Sequence, residues 1–440
     1  MPSHARTSIP HPRSSGLVGA VLLASVAGAG PSADLAAAQG APTSPTIEEL
    51  ETRSRAGDTG AVRAFWETVA ERGAPIVERA GPGRSVVTFV FRGGGDVTDV
   101  RVESGLLALE VQAAAAPFGT DFDTLGGMAR IPSADVWYRS YVVANDLRLP
   151  YVFSVARAGA SEPARELDPL NPTVYDPHER FRPESVVELP GAPPQPWRGE
   201  RGEGPGRWHQ VRVVSGGDST VVYVYTPEAY DPDRTHPYPL FVGLNSYTFG
   251  IAMPGDWILE HLIRRGEIEP VVMLLVDAGG DGSDAYRPAV EFLADDVLPT
   301  VRRDFHVAAD PHEVAIGGTS RRGLVSGIVA FERPDLVANV IALSGSFYWK
   351  PAAATEYEWL AGRVAASASR DVRWFLRAGN LETVVTPGNH GHYMVATNRH
   401  MRDVLRARGY DLDYAEFTGV HSDLNWQSAL ADGLRHFFGR

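Results

Sequence analysis

The sequence predicts an α/β fold, in which a mostly parallel sheet is covered by helices on both faces and is preceded by a small β-sandwich. Short segments rich in β-branched and aromatic residues recur between residues 86 and 156, with Gly, Asn and Asp between them, which is typical of sandwich strands. From about residue 206, apolar strand-like segments alternate with amphipathic helical segments, which favours a parallel sheet. At roughly 150 residues per domain, a chain of 440 residues is long enough to hold both parts.

The first 38 residues have the pattern of an export signal. Arg6 and Arg13 precede an apolar run at residues 16–30, and three alanines at 36–38 supply a cleavage site. A transmembrane helix needs about 20 apolar residues. This run is shorter, and no later segment is long and apolar enough. The alternative interpretation of the run is a short membrane anchor. We expect a periplasmic or secreted protein that is not stably inserted in the membrane after processing.

The remainder of the N-terminal half divides into three parts. Residues 39–74 are expected to be helical, with a capping box formed by Thr46 and Glu49. Residues 75–160 are expected to form a β-sandwich of the Ig-like (early-set) kind. Residues 161–205 contain ten prolines, which predict an extended connector over the surface. Sandwich strands are expected at residues 86–92, 97–102, 136–143 and 150–156.

The second half, residues 206–440, follows the plan of an α/β-hydrolase. Two opening strands resemble a hairpin, and the later strands are separated by helices. Strands are expected at residues 208–214, 220–225, 238–244, 271–277, 313–317, 337–343, 372–378 and 412–417. Helices are expected at residues 256–266, 288–303, 321–332, 397–408 and 424–438.

The strongest local motif is a serine between a strand and a helix. Ser320 follows the strand at 313–317 and the small residues Gly318 and Thr319, and it opens the next helix. This context is typical of a nucleophile elbow, which projects a serine above the sheet. The usual G-x-S-x-G motif has a second glycine where this chain has Arg322. The alternative is a serine that caps an ordinary helix.

Two further residues follow Ser320 in the order that a catalytic triad needs. Glu382 comes after the strand at 372–378, and His421 comes after the last strand. A serine needs a base to take its proton, and the base needs an acid to orient it. Asp423 is the second candidate for the acid, although its position favours a cap for the last helix.

The oxyanion of the reaction needs two N–H donors. The first is expected to be the backbone amide of Arg321, next to the nucleophile. The second is expected in the loop after the strand at 238–244, where the sequence leaves Ser246 and Tyr247 as equal candidates.

Composition excludes several classes of function. The net charge is −13, from 41 Lys and Arg against 54 Asp and Glu, and removal of residues 1–38 makes it −14. This acid excess argues against a nucleic-acid binder. The absence of cysteine excludes thiol nucleophiles and cysteine-ligated metals. His390 and His392 have no partner carboxylate nearby in sequence, so a loop is favoured over a metal site.

Several phrases of the sequence resemble the enterochelin (enterobactin) esterase family, within the esterase D-like α/β-hydrolases. The resemblance covers the whole mature chain. The departures are Arg322 and Gln427, where the family tends to have glycine and arginine, and a shortened stretch near residues 286–288. In the N-terminal half it rests on residues 87–92 (VTFVFR), 134–138 (ADVWY), 168–172 (DPLNP) and 188–193 (ELPGAP). In the second half it rests on residues 297–299 (VLP), 344–346 (SGS), Gly379 with Glu382, Asn398, His421 and Trp426.

The resemblance implies a serine esterase that hydrolyses ester (lactone) bonds of a catecholate siderophore, such as ferric enterobactin, through an acyl-enzyme. It assigns Ser320 as the nucleophile, His421 as the general base and then acid, and Glu382 as the orienting carboxylate. It implies no cofactor and no metal held by the protein, and it leaves the oligomeric state open. The alternatives are a carboxylesterase of other acyl or aryl esters, such as feruloyl or acetyl groups on carbohydrate, and a non-catalytic relative.

A ferric catecholate complex is a bulky anion with aromatic faces, so its pocket should offer cations and stacking rings. A protein of net charge −13 needs a local positive site to attract it. The alternative is that the arginines pair with surface acids and the tryptophans lie in the core. The candidates for substrate binding are Arg322, Arg287, Trp349 and Trp426, with Arg321 and the only lysine, Lys350, close by in sequence.

Overall fold

The N-terminal helices form a pair ahead of the sandwich. The computed structural model describes residues 44–113, 125–131, 134–177, 182–200, 204–277, 286–384 and 392–440, so the predicted export signal lies outside the described residues. The pair consists of α1 (Pro45–Arg55) and α2 (Ala61–Arg72). The expected capping box at Thr46 is wrong, because Ser44 caps α1 by accepting a hydrogen bond from the Ile47 N–H at 3.3 Å.

Two antiparallel sheets form the sandwich, as the sequence predicts. The first sheet has the order β1-β2-β5-β4 and the second has the order β3-β6-β9-β8, with β7 paired to β6. The strands are β1 (Ile76–Gly81), β2 (Arg84–Arg92), β3 (Val97–Ser104), β4 (Ala129–Ile131), β5 (Val136–Ala144), β6 (Arg148–Arg157), β7 (Ala164–Glu166), β8 (Val174–Tyr175) and β9 (Glu184–Glu188), and the short helix α3 (Leu107–Ala113) follows β3.

The core between the two sheets is aromatic. The rings of Phe89 and Tyr151 meet edge to face at 4.7 Å, and those of Phe91 and Phe153 at 5.3 Å. The outer face of the first sheet is covered by α1 and α2, whose buried apolar residues pack against Val90 and neighbouring side chains. Both faces of that sheet are therefore buried, which explains the almost continuous apolar run of β2.

The connector is more ordered than the sequence predicts. Strand β9 lies inside it and pairs with β6, and Val186 and Val187 are buried. Trp197, near its end, is also buried. The expected sandwich boundary at residue 160 and the expected surface path are therefore wrong. A single pair of valines among prolines is too short a pattern to predict a strand.

The second half is an α/β-hydrolase domain with one eight-stranded sheet. The strand order is β10-β11-β13-β12-β14-β15-β16-β17; the first three strands pair antiparallel and the others pair parallel. This confirms the predicted hairpin and parallel sheet. The strands are β10 (Arg207–Ser215), β11 (Asp218–Thr226), β12 (Leu240–Leu244), β13 (Val272–Val276), β14 (Val314–Thr319), β15 (Asn339–Leu343), β16 (Arg373–Gly379) and β17 (Leu412–Phe417).

Helices follow the parallel strands and cover the sheet. The predicted helix at 288–303 corresponds to α5 and α6, joined by a π-helical segment, Phe292–Val297, whereas α8 was not predicted. In the described ranges, no helix has the length and apolarity needed to cross a bilayer. The helices are α4 (Gly255–Arg264), α5 (Tyr286–Glu291), α6 (Leu298–Asp304), α7 (Ser320–Glu332), α8 (Trp359–Ala366), α9 (Met394–Ala407) and α10 (Asp423–Phe438).

Candidate active site

Ser320 lies at a sharp turn between β14 and α7. Its φ is 52°, in the left-handed region that a residue with a side chain adopts at a cost in energy. The turn is tight, since a Cβ atom at Gly318 would lie 2.2 Å from the carbonyl oxygen of Arg322. A strained serine in a strand–turn–helix context has the geometry of a nucleophile elbow rather than of an ordinary helix cap.

Arg322 leaves this elbow intact, although it replaces the usual glycine. The close packing against the next strand falls on Gly323, where a Cβ atom would lie 3.2 Å from the Cα of Gly345. The Arg322 carbonyl instead accepts a hydrogen bond from Ser326 Oγ at 2.9 Å. The side chain of Arg322 is half-buried and that of Arg321 is exposed. A blocked elbow would have favoured the non-catalytic alternative, and Arg322 does not block it.

His421 and Glu382 form a hydrogen-bonded pair. His421 Nδ1 lies 2.7 Å from Glu382 Oε2. The imidazole side chain is 37% exposed, whereas the carboxylate is 2% exposed. The carboxylate thus holds the ring from below, and Nε2 remains the nitrogen that can exchange a proton with a substrate or a nucleophile.

The second oxygen of Glu382 is fixed by neighbouring donors. The Gly379 N–H donates to Oε1 at 2.7 Å, and Ser344 Oγ donates to the same oxygen at 2.5 Å. Ser344 Oγ in turn accepts a hydrogen bond from Trp426 Nε1 at 2.9 Å. These bonds offset the cost of burying a carboxylate and fix the side of it that faces His421.

Two sequence-based expectations about the last helix are corrected. Trp426 was expected to stack on substrate, but it is 5% exposed and its ring lies edge-on to that of His421 at 4.7 Å. It therefore supports the histidine from behind. Asp423 was expected to cap α10, but the cap is Ser422, whose side chain accepts a hydrogen bond from the Leu424 N–H at 3.2 Å. Asp423 lies in the first turn, where its negative charge interacts favourably with the positive end of the helix dipole.

The loop after β15 joins the serine to the pair. The Ser346 N–H donates to the carbonyl of Ser320 at 3.0 Å, and the two hydroxyl oxygens lie 3.4 Å apart. Ser344, two residues earlier, binds Glu382. Because two residues of extended chain span at most about 7 Å, Ser320 and the His421–Glu382 pair share one edge of the sheet. This is the edge at which ligands bind open α/β sheets.

The loop after β12 decides between the two candidates for the second oxyanion donor. The Ser246 N–H donates to Asp277 Oδ1 at 2.8 Å, and its hydroxyl donates to Oδ2 at 2.6 Å. That amide is therefore engaged within the protein and does not serve an oxyanion. The Tyr247 phenol donates to the carbonyl of Pro177 at 2.7 Å, which anchors the loop. The geometry favours Tyr247.

Trp349 and Arg287 lie in neighbouring elements. The Trp349 ring packs against Tyr286 at 5.7 Å and against Trp359 at 6.0 Å, and it is partly buried. Arg287 is the next residue of α5 and is exposed. The core-packing alternative therefore accounts for Trp349, and Arg287 lies beside that aromatic cluster as a surface cation.

A second aromatic cluster was missed by the sequence analysis. We call it the aromatic wall and define it as Tyr348, Lys350, Tyr357 and His392. The His392 ring stacks on Tyr348 at 6.0 Å and lies 4.8 Å from Tyr357, and Lys350 Nζ lies 5.5 Å from the Tyr357 ring. Of these four residues, the sequence indicated only Lys350 as a residue near the substrate. The signal that could have found Tyr348 is its position two residues after Ser346.

Of the predicted H-x-H motif, His390 lies outside the described residues and His392 belongs to the aromatic wall. In the part of the chain that the structure describes, no group of three or more His, Cys, Asp or Glu residues could hold a metal ion.

Two sequence families match the chain along its length. The N-terminal domain of enterochelin esterase matches residues 86–198, and the family described as "Putative esterase" matches residues 215–437, which is half of the chain. The first match extends through the connector, in agreement with the position of β9 in the sandwich.

The chain is similar to curated and structurally characterised enterobactin esterases. The iron(III) enterobactin esterase of Dickeya dadantii is 26% identical over 423 residues, 84% of this chain and 92% of the relative. The iron(III) enterobactin esterase of Escherichia coli is 27% identical over 266 residues, 57% of this chain and 62% of the relative. The crystal structure of a ferric enterobactin esterase from Salmonella typhimurium has a TM-score of 0.66 at 22% identity and covers 85% of this chain and 98% of that one. The chain belongs to the enterochelin esterase family of α/β-hydrolases.

Proposed function

We propose that this protein is a serine esterase that hydrolyses the ester (lactone) bonds of a catecholate siderophore such as ferric enterobactin. The observation that carries the proposal is the His421–Glu382 pair, at 2.7 Å, on the sheet edge where Ser320 occupies a strained elbow. The substrate class is supported by the names of the curated relatives, of which that of Dickeya dadantii matches over 84% of this chain. The presence of the N-terminal enterochelin esterase domain favours this class over an acyl-carbohydrate esterase.

In the proposed reaction, His421 takes the proton of Ser320 as its Oγ attacks the ester carbonyl carbon. The carbon–oxygen bond to the leaving alcohol then breaks, and His421 returns the proton to that alcohol. The acyl group remains on Ser320. Water repeats the sequence at the same carbonyl and releases a carboxylic acid. Glu382 accepts the hydrogen bond from Nδ1 and holds the imidazole in the tautomer that accepts the proton at Nε2.

Two backbone amides are proposed to stabilise the negative charge that develops on the carbonyl oxygen. One is the N–H of Arg321, which follows the nucleophile on α7, and the other is the N–H of Tyr247. Loss of one such donor typically raises the barrier by about 3 kcal/mol. The contact between the Tyr247 phenol and Pro177 places the connector behind this loop.

The aromatic wall is proposed to receive a catecholate ring. Tyr357 is 41% exposed, so its ring is accessible, and Lys350 lies near it as a cation. Stacking and cation–π contacts suit an electron-rich aromatic anion. Arg321 is exposed at the elbow and Arg287 is exposed on α5. With Lys350, they are proposed to supply the local positive charge that a protein of net charge −13 needs to attract an anionic substrate.

We propose that the protein acts outside the cytoplasm, after cleavage near Ala38. The support is the charged and apolar pattern of residues 1–38. Fractionation of the producing cells with N-terminal sequencing tests this. We expect a mature chain that begins near residue 39 in the periplasm or medium, whereas an unprocessed chain in the cytoplasm would contradict export.

A substrate panel tests the proposed activity. Ferric enterobactin, iron-free enterobactin, methyl ferulate, acetylated xylan and a short nitrophenyl ester are compared by kcat/KM. We expect the highest value for a catecholate lactone. A higher value for ferulate or acetylated xylan would instead assign the protein to carbohydrate-linked esters.

A further inference from the structure

The β-sandwich touches the hydrolase domain at the two loops that carry the acid–base pair. Leu381, next to Glu382, and Val420, next to His421, both pack against the hydrophobic core of the sandwich. Leu109 of the sandwich packs against the same core. The chain neighbours of the acid and the base are therefore held by another domain.

The contact at Val420 is especially close. Gly105 directly follows β3, and a Cβ atom there would lie 1.8 Å from Val420 Cγ1 and 2.8 Å from its Cβ. Non-bonded carbon atoms prefer separations of about 3.5–4.0 Å. The sandwich therefore presents bare backbone to the residue before His421, and any side chain at Gly105 would displace that residue.

A polar bridge lies beside this contact. Asn425 Oδ1 accepts a hydrogen bond from the Val420 N–H at 3.1 Å, and its Nδ2 donates to the carbonyl of Arg148 at 2.6 Å. Asn425 is 8% exposed. Arg148 begins β6, between the fully buried Leu147 and Leu149, so its carbonyl is fixed by the sandwich core. One amide side chain thus ties the histidine loop to a rigid strand 277 residues away.

We infer that the sandwich is a positioning element of the active site, which holds the His421 loop through Gly105, Arg148 and Asn425. The inference rests on the proposed function, because His421 and Glu382 are the acid–base pair of that proposal. A misplacement of about 1 Å in a reacting group can lower a rate about a hundredfold. Sandwich residues that never meet substrate should therefore change kcat.

The first test compares the same substitution at the two ends of β3 in the full chain. Gly105→Ala introduces the clash with Val420, whereas Gly95→Ala adds a methyl group into open space. Neither glycine has a positive φ. With a nitrophenyl ester, we expect Gly105→Ala to lower kcat at least tenfold with KM within twofold, and Gly95→Ala to leave both constants unchanged. Wild-type kcat in folded Gly105→Ala would overturn the inference.

A compensating change separates positioning from misfolding. In Gly105→Ala/Val420→Ala, the methyl group at 1.8 Å is gone and the nearest atom is the Cβ at 2.8 Å. We expect this double variant to recover part of the kcat that Gly105→Ala loses. A double variant with lower kcat than both single variants would contradict the inference.

Asn425→Asp isolates the bridge, because it keeps the acceptor for the Val420 N–H and loses the donor to Arg148. The matched control is Trp197→Phe, which removes the hydrogen bond from Trp197 Nε1 of the connector to Gln427 Oε1 of α10, the helix that also carries Asn425. Both variants should lower thermal stability, but only Asn425→Asp should lower kcat at constant KM. Equal losses of kcat in the two variants would assign the contacts to stability alone.

A spectroscopic measurement distinguishes failure of this inference from failure of the proposed function. The proton between His421 Nδ1 and Glu382 should give a downfield NMR signal, which needs no substrate and is identified by its loss in His421→Ala. We expect it to broaden or shift in Gly105→Ala and to persist in Gly95→Ala. An unchanged signal in Gly105→Ala would overturn the positioning inference, whatever ester the protein hydrolyses.

Discussion

The proposed nucleophile and the proposed acid–base pair are held by different parts of the molecule. Ser320 lies on an elbow whose close contacts at Gly318 and Gly323 are made within the α/β domain. The loops that carry His421 and Glu382 pack instead against the core of the β-sandwich. The two sides of the proposed active site therefore depend on two hydrophobic cores.

This difference shows which parts of the site are local products of the sequence. The elbow needs only a strand, a tight turn and a helix, which lie within 19 residues, from Val314 to Glu332. The histidine loop needs the Asn425–Arg148 bond, between residues 277 positions apart. A relative that lacks the sandwich must therefore fix its histidine by other contacts.

The largest expected effect is on the elbow side. Ser320→Ala should lower kcat about a million-fold, as loss of a serine nucleophile does in other serine hydrolases. Ser346→Ala is the control, because its hydroxyl lies 3.4 Å from that of Ser320 and is assigned no covalent role. It should stay within about tenfold of wild type. Steady-state hydrolysis of a nitrophenyl ester measures both. Comparable activity of Ser320→Ala and wild type would refute the nucleophile.

On the acid–base side, Glu382→Gln should lower kcat about ten-thousand-fold, because a neutral amide no longer stabilises the imidazolium or selects its tautomer. Ser344→Ala should lower kcat about tenfold, since it removes one of the hydrogen bonds that fix the Glu382 carboxylate. Activity of Glu382→Gln within tenfold of wild type would require another residue to orient His421.

The loop that joins the two sides leads into the aromatic wall and should affect binding rather than chemistry. Tyr357→Ala should raise KM for ferric enterobactin about three- to tenfold, the worth of one aromatic contact. KM for a short nitrophenyl ester should stay within twofold, and Tyr357→Phe, which keeps the ring, is the control. An equal rise of KM for both substrates would remove Tyr357 from catecholate recognition.

The smallest expected effect concerns Glu188, the carboxylate that pairs with Arg148 and Arg198. The hydrogen bond from Arg148, with Arg198 beside it, holds the pKa of Glu188 below its ordinary value. A lowered carboxyl pKa stabilises the fold above the unfolded-state pKa, and this contribution disappears as pH falls through the folded-state pKa. Glu188→Gln removes the ion pair with Arg148 and should therefore lower the free energy of unfolding near neutral pH. The expected loss is only about 1 kcal/mol, because solvent screens the partly exposed carboxylate.

Urea unfolding of wild type and Glu188→Gln at several pH values measures this. The difference between the two proteins should be constant above about pH 5 and shrink towards pH 3. A difference that grows on acidification would have the wrong sign for a salt-bridged carboxylate.

The sequence predicted the α/β sheet and the order of the site residues, because both are expressed locally. Each βα unit has its own periodicity, and Ser320, Glu382 and His421 each follow a recognisable strand. The tolerance of the elbow for Arg322 could not be predicted. It depends on Gly323 of α7 packing near Gly345, which lies in the loop after β15 and outside the local motif.

The position of Trp426 and the aromatic wall could not be predicted, because both depend on contacts between residues far apart in the sequence. Trp426 was a candidate for substrate binding, but the Ser344 hydroxyl that accepts its indole N–H lies 82 residues earlier in the chain. The aromatic wall brings together residues from two loops, of which His392 stacks on Tyr348. No single segment contains either arrangement, and so no local pattern indicates it.

The most direct test of the central claim is to treat the full chain with diisopropyl fluorophosphate and map the adduct by peptide mass spectrometry. The proposal of Ser320 activated by His421 predicts one adduct per chain, at Ser320, formed in parallel with the loss of esterase activity, and no adduct in His421→Ala at the same exposure. Complete inactivation with the adduct on another residue, or full labelling of Ser320 with activity retained, would contradict it.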